Sequence, residues 1–227
     1  MQQQFLRSID QVIKRNRMLD HPFYQSWNAG TLTLPALREY AKQYYHFVQA
    51  FPTFVSATHA NTPSLGVRQQ LLENLIEEER GSGNHPGLWV NFAEALGVTE
   101  EEARTTPQLP ETREAIAVIR SITKDRSYLE GIAALYAYES QIPEVARVKI
   151  DGLKKFYGVK SKKGLAFFTV HEKADVGHAG DERRLLAEGA LNAREQSACT
   201  KAAGNSARAM LKLLDGVYRA YVAPSMN

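Results

Sequence analysis

Long segments with the apolar spacing of α-helices fill most of this chain of 227 residues, and prolines and glycines fall between the segments. No stretch shows the strict alternation of a half-buried β-strand. This pattern is typical of an all-α helical bundle. It predicts helices near residues 2–19, 34–60, 65–80, 86–97, 110–124, 127–141, 144–157, 163–189 and 194–220.

Local signals fix some of the predicted helix ends. Thr33 before Pro35 is typical of a helix start, because proline fits the first turn, and Gly158 is typical of a residue that ends a helix. The segment 98–110 is polar and is predicted to be a connector. It is too short to separate two domains, so the sequence predicts one domain over residues 1–227.

Composition excludes several classes of protein. With Cys199 as its one cysteine, the chain cannot form an intramolecular disulfide, which fits a reducing cytoplasm. The N-terminal segment has no apolar core like that of a secretory signal, and no apolar run approaches the roughly 18–20 residues of a membrane span. The net charge is +3, and the basic residues are spread along the chain without interleaved aromatic residues. We therefore expect a cytoplasmic protein that binds neither membrane nor nucleic acid.

The strongest chemical signal is HEKADVGH, residues 171–178. His171, Asp175 and His178 would stand at about 0°, 40° and −20° around a helix, which is one narrow stripe. Two imidazoles and a carboxylate on one stripe form a ligand set for a first-row transition metal. The alternative is a solvated helix face that carries two histidines by chance.

A single helix cannot complete such a site, so partners are needed from facing helices. Glu78 and His85 are seven residues apart, although Gly81, Gly83 and Pro86 argue against a regular helix between them. The glycines could instead allow a distorted turn that re-aims His85. The alternative is an exposed acidic helix end that is followed by a histidine in a loop.

Two further polar residues lie on apolar helix faces. Glu139 shares its face with Ile132 and Leu135, and a carboxylate there is costly to bury unless it is paired or binds a metal. It could also reach solvent from the end of its helix. Lys149 lies within an apolar stripe of the next helix. Its stem could pack while its ammonium reaches solvent, or it could be a buried lysine with a lowered pKa that acts as a nucleophile or nitrogen donor.

Taken together, these residues resemble the heme-oxygenase-like dimetal oxidases, over nearly the full length of the chain. Within them, the sequence is most similar to the branch that contains the chlamydial protein associating with death domains, and it is more distantly similar to pyrroloquinoline quinone synthases and thiaminase-like proteins. The matching stretches are HPFYQSW, YAKQYY, AFP, LLENLIEEERGSGNH, LGVT, AALYAYESQIP, ARVKIDGLKKFYG and FFTVHEKADVGHA.

The resemblance implies a bundle of about seven core helices around two divalent metal ions, Fe with Fe or Mn with Fe. It chooses Glu78 over its two glutamate neighbours. The implied ligands are Glu78, His85, Glu139, His171, Asp175 and His178.

The resemblance also implies an unusual reaction, in which the protein makes p-aminobenzoate, the folate precursor, from one of its own tyrosines. Tyr24 matches the sacrificed tyrosine, and Lys149 matches the lysine that donates the amino group. Tyr40 and Tyr138 match tyrosines beside the site that carry radicals. Dioxygen would be the co-substrate and an external reductant would be needed. From the sequence alone, without the resemblance, Tyr24 is best explained as a packed aromatic residue whose hydroxyl is hydrogen-bonded.

Other functions remain open at this stage. A dimetal oxygenase that acts repeatedly on an external small molecule would share the metal site. A protein-interaction module would need a docking surface, and a thiaminase-like hydrolase would need an activated Cys199, which has no histidine near it in the sequence. The sequence does not decide the oligomeric state, and a homodimer is compatible with it.

Overall fold

The computed structural model describes residues 2–190 and 192–223, and all the regular structure within these ranges is helical. The all-α prediction is confirmed. No helix in the described ranges is long and apolar enough to cross a membrane. The α-helices are α1 (Gln2–Lys14), α2 (Pro22–Ala29), α3 (Leu34–Ala60), α4 (Leu65–Glu79), α5 (His85–Ala95), α6 (Glu100–Thr105), α7 (Pro110–Asp125), α8 (Tyr128–Glu139), α9 (Ile142–Phe156), α10 (Lys162–Gly189) and α11 (Ala193–Val217).

Each of the nine predicted segments overlaps one of these helices, but two short helices were missed. The prediction of a connector at 98–110 was wrong over α6, where Thr99 and Glu102 form a reciprocal capping box. Helix α2 was also missed, and it carries Tyr24. The predicted helix 2–19 was too long, since α1 ends at Lys14.

Two predicted helix ends are confirmed by the backbone. The Thr33 hydroxyl accepts a hydrogen bond from the Ala36 amide at 3.2 Å, with Pro35 in the first turn of α3. Gly158 follows the end of α9 with φ 71°, in the left-handed region that favours glycine.

The longest helix, α10, is central to the packing. It packs against α5, α8 and α9 and also reaches α4, while α3 packs against α4, α5, α7 and α8. The inner face of α10 therefore faces α4, α5 and α8 together. These four helices carry the six predicted metal ligands.

Candidate metal centre

The stripe predicted on α10 points into the molecule. His171 and Asp175 are buried, and the His178 side chain is 13% exposed. The alternative of a solvated helix face is therefore wrong. The six predicted ligands fall into two groups of three, and within each group one potential ligand atom from every residue lies within 4.8 Å of the others.

The first group joins Glu78, His85 and His171. Helix α4 ends one residue after Glu78, and a 3-10 turn with Gly81 at φ 66° connects it to α5. His85 is the first residue of α5, and its Nδ1 lies 2.8 Å from Glu78 Oε1. The distorted turn thus directs His85 back towards Glu78. A continuous helix would not bring the two side chains this close together.

The His171 imidazole is held in one tautomer by its own helix. Nδ1 donates a hydrogen bond to the Phe167 carbonyl at 2.7 Å, because a carbonyl can only accept. Burial lowers the pKa of His171 well below its usual value, so the ring is neutral. Nε2 therefore carries a free lone pair, which is the form that binds a metal.

The second group joins Glu139, Asp175 and His178. His178 Nδ1 lies 3.6 Å from Asp175 Oδ1 and 3.9 Å from Glu139 Oε1. Asn74 of α4 donates a hydrogen bond to Glu139 Oε1 at 2.9 Å, which orients this carboxylate. Glu139 is 1% exposed, so the alternative of a helix-end glutamate that reaches solvent is wrong.

The electrostatics of these groups fit bound cations. Burial raises the pKa of Asp175, to about 7, and also disfavours charge on His178. The Asp175 carboxylate at 3.6 Å and the charges of Glu139 and Glu77 nevertheless raise the pKa of His178 to about 9. Glu139 Oε2, Asp175 Oδ2 and His178 Nδ1 are buried without a hydrogen-bond partner. Unpartnered buried polar atoms are costly, and divalent metals would satisfy them while displacing the protons.

Lys149 is buried beside this site, which excludes the alternative of an ammonium in solvent. It is 2% exposed, and its Nζ donates a hydrogen bond of 2.6 Å to the Tyr40 hydroxyl. Burial lowers its pKa well below the usual value. Lys149 and His171 line a cavity of about 10 Å³. His171 also lines a second cavity of about 10 Å³, together with Glu78, Glu139 and Asp175.

The aromatic residues form a connected cluster around Lys149. Tyr138 lies on the walls of both cavities, and its hydroxyl is 3.2 Å from that of Tyr44. The Tyr44 ring is 5.2 Å from the Tyr40 ring, and Tyr24 is fully buried with its ring centroid 5.6 Å from Lys149 Nζ. Tyr24 is therefore adjacent to Lys149 and does not line the cavity between the two ligand groups.

Three residues of this region were missed by the sequence reasoning: Tyr44, Asn74 and Glu182. Tyr44 lies four residues after Tyr40 on α3, so helical spacing could have indicated it. Glu182 lies four residues after His178 and continues the α10 stripe, which is also a readable signal. Asn74 gave no such signal, since its role depends on the approach of α8.

Cys199 does not have the surroundings of a nucleophile. It is 1% exposed, and burial raises the pKa of its thiol to about 12. It lies in the core packing of α11 and not among the predicted site residues. A thiaminase-like hydrolase therefore finds no support in the structure.

Comparisons with known proteins agree with this geometry. A family model described as iron-containing redox enzyme matches residues 38–213. The 4-aminobenzoate synthase of Nitrosomonas europaea is 41% identical over 228 residues, covering 96% of this chain and 93% of that protein. The 4-aminobenzoate synthase of Chlamydia pneumoniae is 43% identical over 182 residues, covering 80% and 81%.

A solved structure shows the same fold. A Shewanella denitrificans domain of unknown function, described as having a heme oxygenase-like fold, superposes with a TM-score of 0.77 at 17% identity. The match covers 96% of this chain and 90% of that one. At this identity the likeness shows the fold alone, and it confirms the predicted heme-oxygenase-like bundle.

Proposed function

The chain belongs to the family of iron-containing redox enzymes, and on this premise we propose that it makes p-aminobenzoate, the folate precursor, from the side chain of its own Tyr24 with Lys149 as the amino donor. In this proposal it acts in the cytoplasm as a single domain and needs no nucleic acid or membrane.

Two metal ions would be held by the two groups of three side chains. Glu78, His85 and His171 would bind one ion, and Glu139, Asp175 and His178 the other. Three carboxylates and three imidazoles suit Fe with Fe or Mn with Fe. When bound, such a pair supplies the oxidation by dioxygen, with an external reductant, that cleavage of a tyrosine side chain requires.

One observation carries the proposal: a buried primary amine lies between the metal ligands and the tyrosine that would be consumed. An uncharged amine is a nucleophile and a nitrogen donor, whereas an ammonium is neither. Burial lowers the pKa of Lys149 well below its usual value and so favours the uncharged amine, and the Tyr40 hydroxyl fixes its position at 2.6 Å. Burying a lysine costs free energy, so the stability of the core does not explain why Lys149 is there.

The tyrosines provide a path from the metal ligands to the amine. Tyr138 lies on the wall of the metal-side cavity, and its hydroxyl contacts that of Tyr44. Tyr44 in turn packs against Tyr40, which binds Lys149. A phenol beside the metals that has lost an electron and a proton could thus regain them from the next tyrosine. The oxidised position would then move inward to Tyr40 and Tyr24.

The sizes of the cavities favour an internal substrate over an external one. Each of the two adjoining cavities has a volume of about 10 Å³. This is room for one water molecule or a diatomic gas, and not for an organic substrate. The oxygenase that acts repeatedly on an added small molecule would need a larger opening.

An isotope experiment tests the proposal. Protein grown with ring-labelled tyrosine is loaded with Fe(II), or with Mn(II) and Fe(II), and is exposed to air and a reductant without added substrate. Labelled p-aminobenzoate should form in a yield of up to about one per chain, and intact mass should show the matching loss. The Tyr24→Phe variant should give none. Tyr136→Phe is the matched control, because Tyr136 is also buried but binds Asp10 at 2.9 Å, away from Lys149.

The amino donor is tested by Lys149→Arg, which keeps a cation but removes the primary amine. This variant should form no p-aminobenzoate while it still binds the metals. Sustained product formation by Tyr24→Phe, or a yield that rises past one equivalent with an added substrate, would reject self-sacrifice and leave an ordinary dimetal oxygenase.

A further inference from the structure

Glu182 continues the ligand stripe of α10 by one more turn. Measured from His171, it stands at about 20° around the helix, between the positions of Asp175 and His178. It is 3% exposed, although it lies in a segment whose other charged residues reach solvent. Its side chain therefore points to the same interior as the proposed metal ligands.

Within residues 2–190 and 192–223, the carboxylate of Glu182 has no partner of opposite charge. Both of its oxygens are buried without a hydrogen-bond partner. The two arginines that follow it are engaged elsewhere: Arg183 binds Asp10 at 2.9 Å and Arg184 binds Asp181 at 2.7 Å. A buried carboxylate without a nearby cation is costly, and neither arginine supplies one. We therefore expect another source of positive charge beside Glu182.

The neighbour of Glu182 is another carboxylate of the metal centre. Its carboxylate lies close enough to Glu139 and Asp175 to feel the negative charge of both. Glu139 has its own oxygen, Oε2, buried without a partner. Two neighbouring buried carboxylates of this kind need a proton or a cation beside them, and the ion that Glu139 helps to hold would supply that positive charge.

We propose that Glu182 is a further ligand of the metal ion that Glu139, Asp175 and His178 hold. This inference rests on the two-metal site of the proposed function. It gives the second ion three carboxylates and one imidazole, whereas the first ion has one carboxylate and two imidazoles. Since carboxylates suit the harder ions, the second position is the one that favours Mn(II).

The test measures metal binding, not catalysis. The metal-free full-length protein is titrated with Mn(II), and the unbound ion is measured from its electron paramagnetic resonance signal. The unaltered protein should bind two ions per chain. In Glu182→Gln one ion should bind as before, and the other should have a Kd at least about tenfold higher. Glu188→Gln, at an exposed position of the same helix, should leave both Kd values unchanged.

Thermal unfolding separates a ligand from a merely structural residue. Glu182→Gln removes a buried carboxylate, so the metal-free variant should unfold at a Tm no lower than that of the unaltered protein, while the rise in Tm on adding Mn(II) should shrink. Glu182→Asp keeps the charge but shortens the side chain, so it should weaken the same ion less. This variant serves if the glutamine does not fold.

The outcomes are distinct. Unchanged Kd values for both ions in Glu182→Gln, or in Glu182→Asp if only that variant folds, overturn the ligand role of Glu182 and leave the two-metal site standing. The same follows if the metal-free Tm falls while the rise on adding Mn(II) stays unchanged. Fewer than two ions in the unaltered protein would overturn the two-metal site itself.

Discussion

Replacing Lys149 by methionine should remove a contribution to the free energy of unfolding that rises with pH. Methionine matches the length of the lysine stem, cannot titrate, and tolerates contact with aromatic rings. The lysine amine is ringed by five aromatic side chains at 4.7–5.6 Å and makes one hydrogen bond, to Tyr40. No carboxylate raises its pKa, and burial lowers it well below 10.5.

The direction of this pH dependence follows from the proton that the amine takes up on unfolding. In the unfolded chain the amine is protonated up to about pH 10.4, whereas in the folded chain it is neutral over much of the range below. Unfolding therefore takes up a proton, and the stability of the unaltered protein rises by about 1.4 kcal/mol per pH unit between the two pKa values. This slope applies to the pH range below about 10.4 in which the folded amine is neutral and the unfolded one is protonated. The methionine variant lacks this contribution.

The assay is urea unfolding of the metal-free proteins across this pH range. The stability advantage of Lys149→Met over the unaltered protein should fall as pH rises, whatever its starting value. Loss of the hydrogen bond to Tyr40 adds a cost of about 0.5–1.5 kcal/mol that does not change with pH. Lys154→Met, at an exposed position of α9, should follow the unaltered protein at every pH. Parallel curves for Lys149→Met would show that the amine stays protonated in the fold, and would refute its role as a nucleophile.

Three further predictions can be checked on purified protein. His171→Ala and His178→Ala should each lose about one of the two metal ions by elemental analysis, and full occupancy in both would contradict the ligand assignment. Because the imidazole of His178 is protonated up to about pH 9 without metal, the affinity for one ion should rise by up to about tenfold per pH unit between about pH 7, the pKa of Asp175, and about pH 9, and titrations at several pH values measure this. Gly152→Ala would place a methyl group inside van der Waals distance of Trp27 Nε1 and should lower the free energy of unfolding by about 1–3 kcal/mol. Gly180→Ala, with no atom within 4 Å of the new methyl group, should raise it by up to about 1 kcal/mol, and equal urea midpoints would contradict this.

Sequence alone was sufficient for nine of the eleven α-helices in the described residues and for the stripe on α10. The spacing of His171, Asp175 and His178 sets their common direction, because every residue advances about 100° around a helix. The order of prolines, glycines and caps placed most of the other helix ends. Helix α6 was not predicted because it is short and polar. Its stability depends on its capping box and not on an apolar face.

Tertiary structure decided which residues meet. Spacing could not choose among the three consecutive glutamates at the end of α4, and only the resemblance favoured Glu78. In the fold, Glu78 is buried against His85, whereas Glu77 is exposed and reaches the outer side of His178 at 3.3 Å. The turn at Gly81 sets the first of these distances, and the approach of α10 to α4 sets the second. Helical periodicity gives the direction of a side chain within its own helix, but contacts between helices depend on how those helices pack.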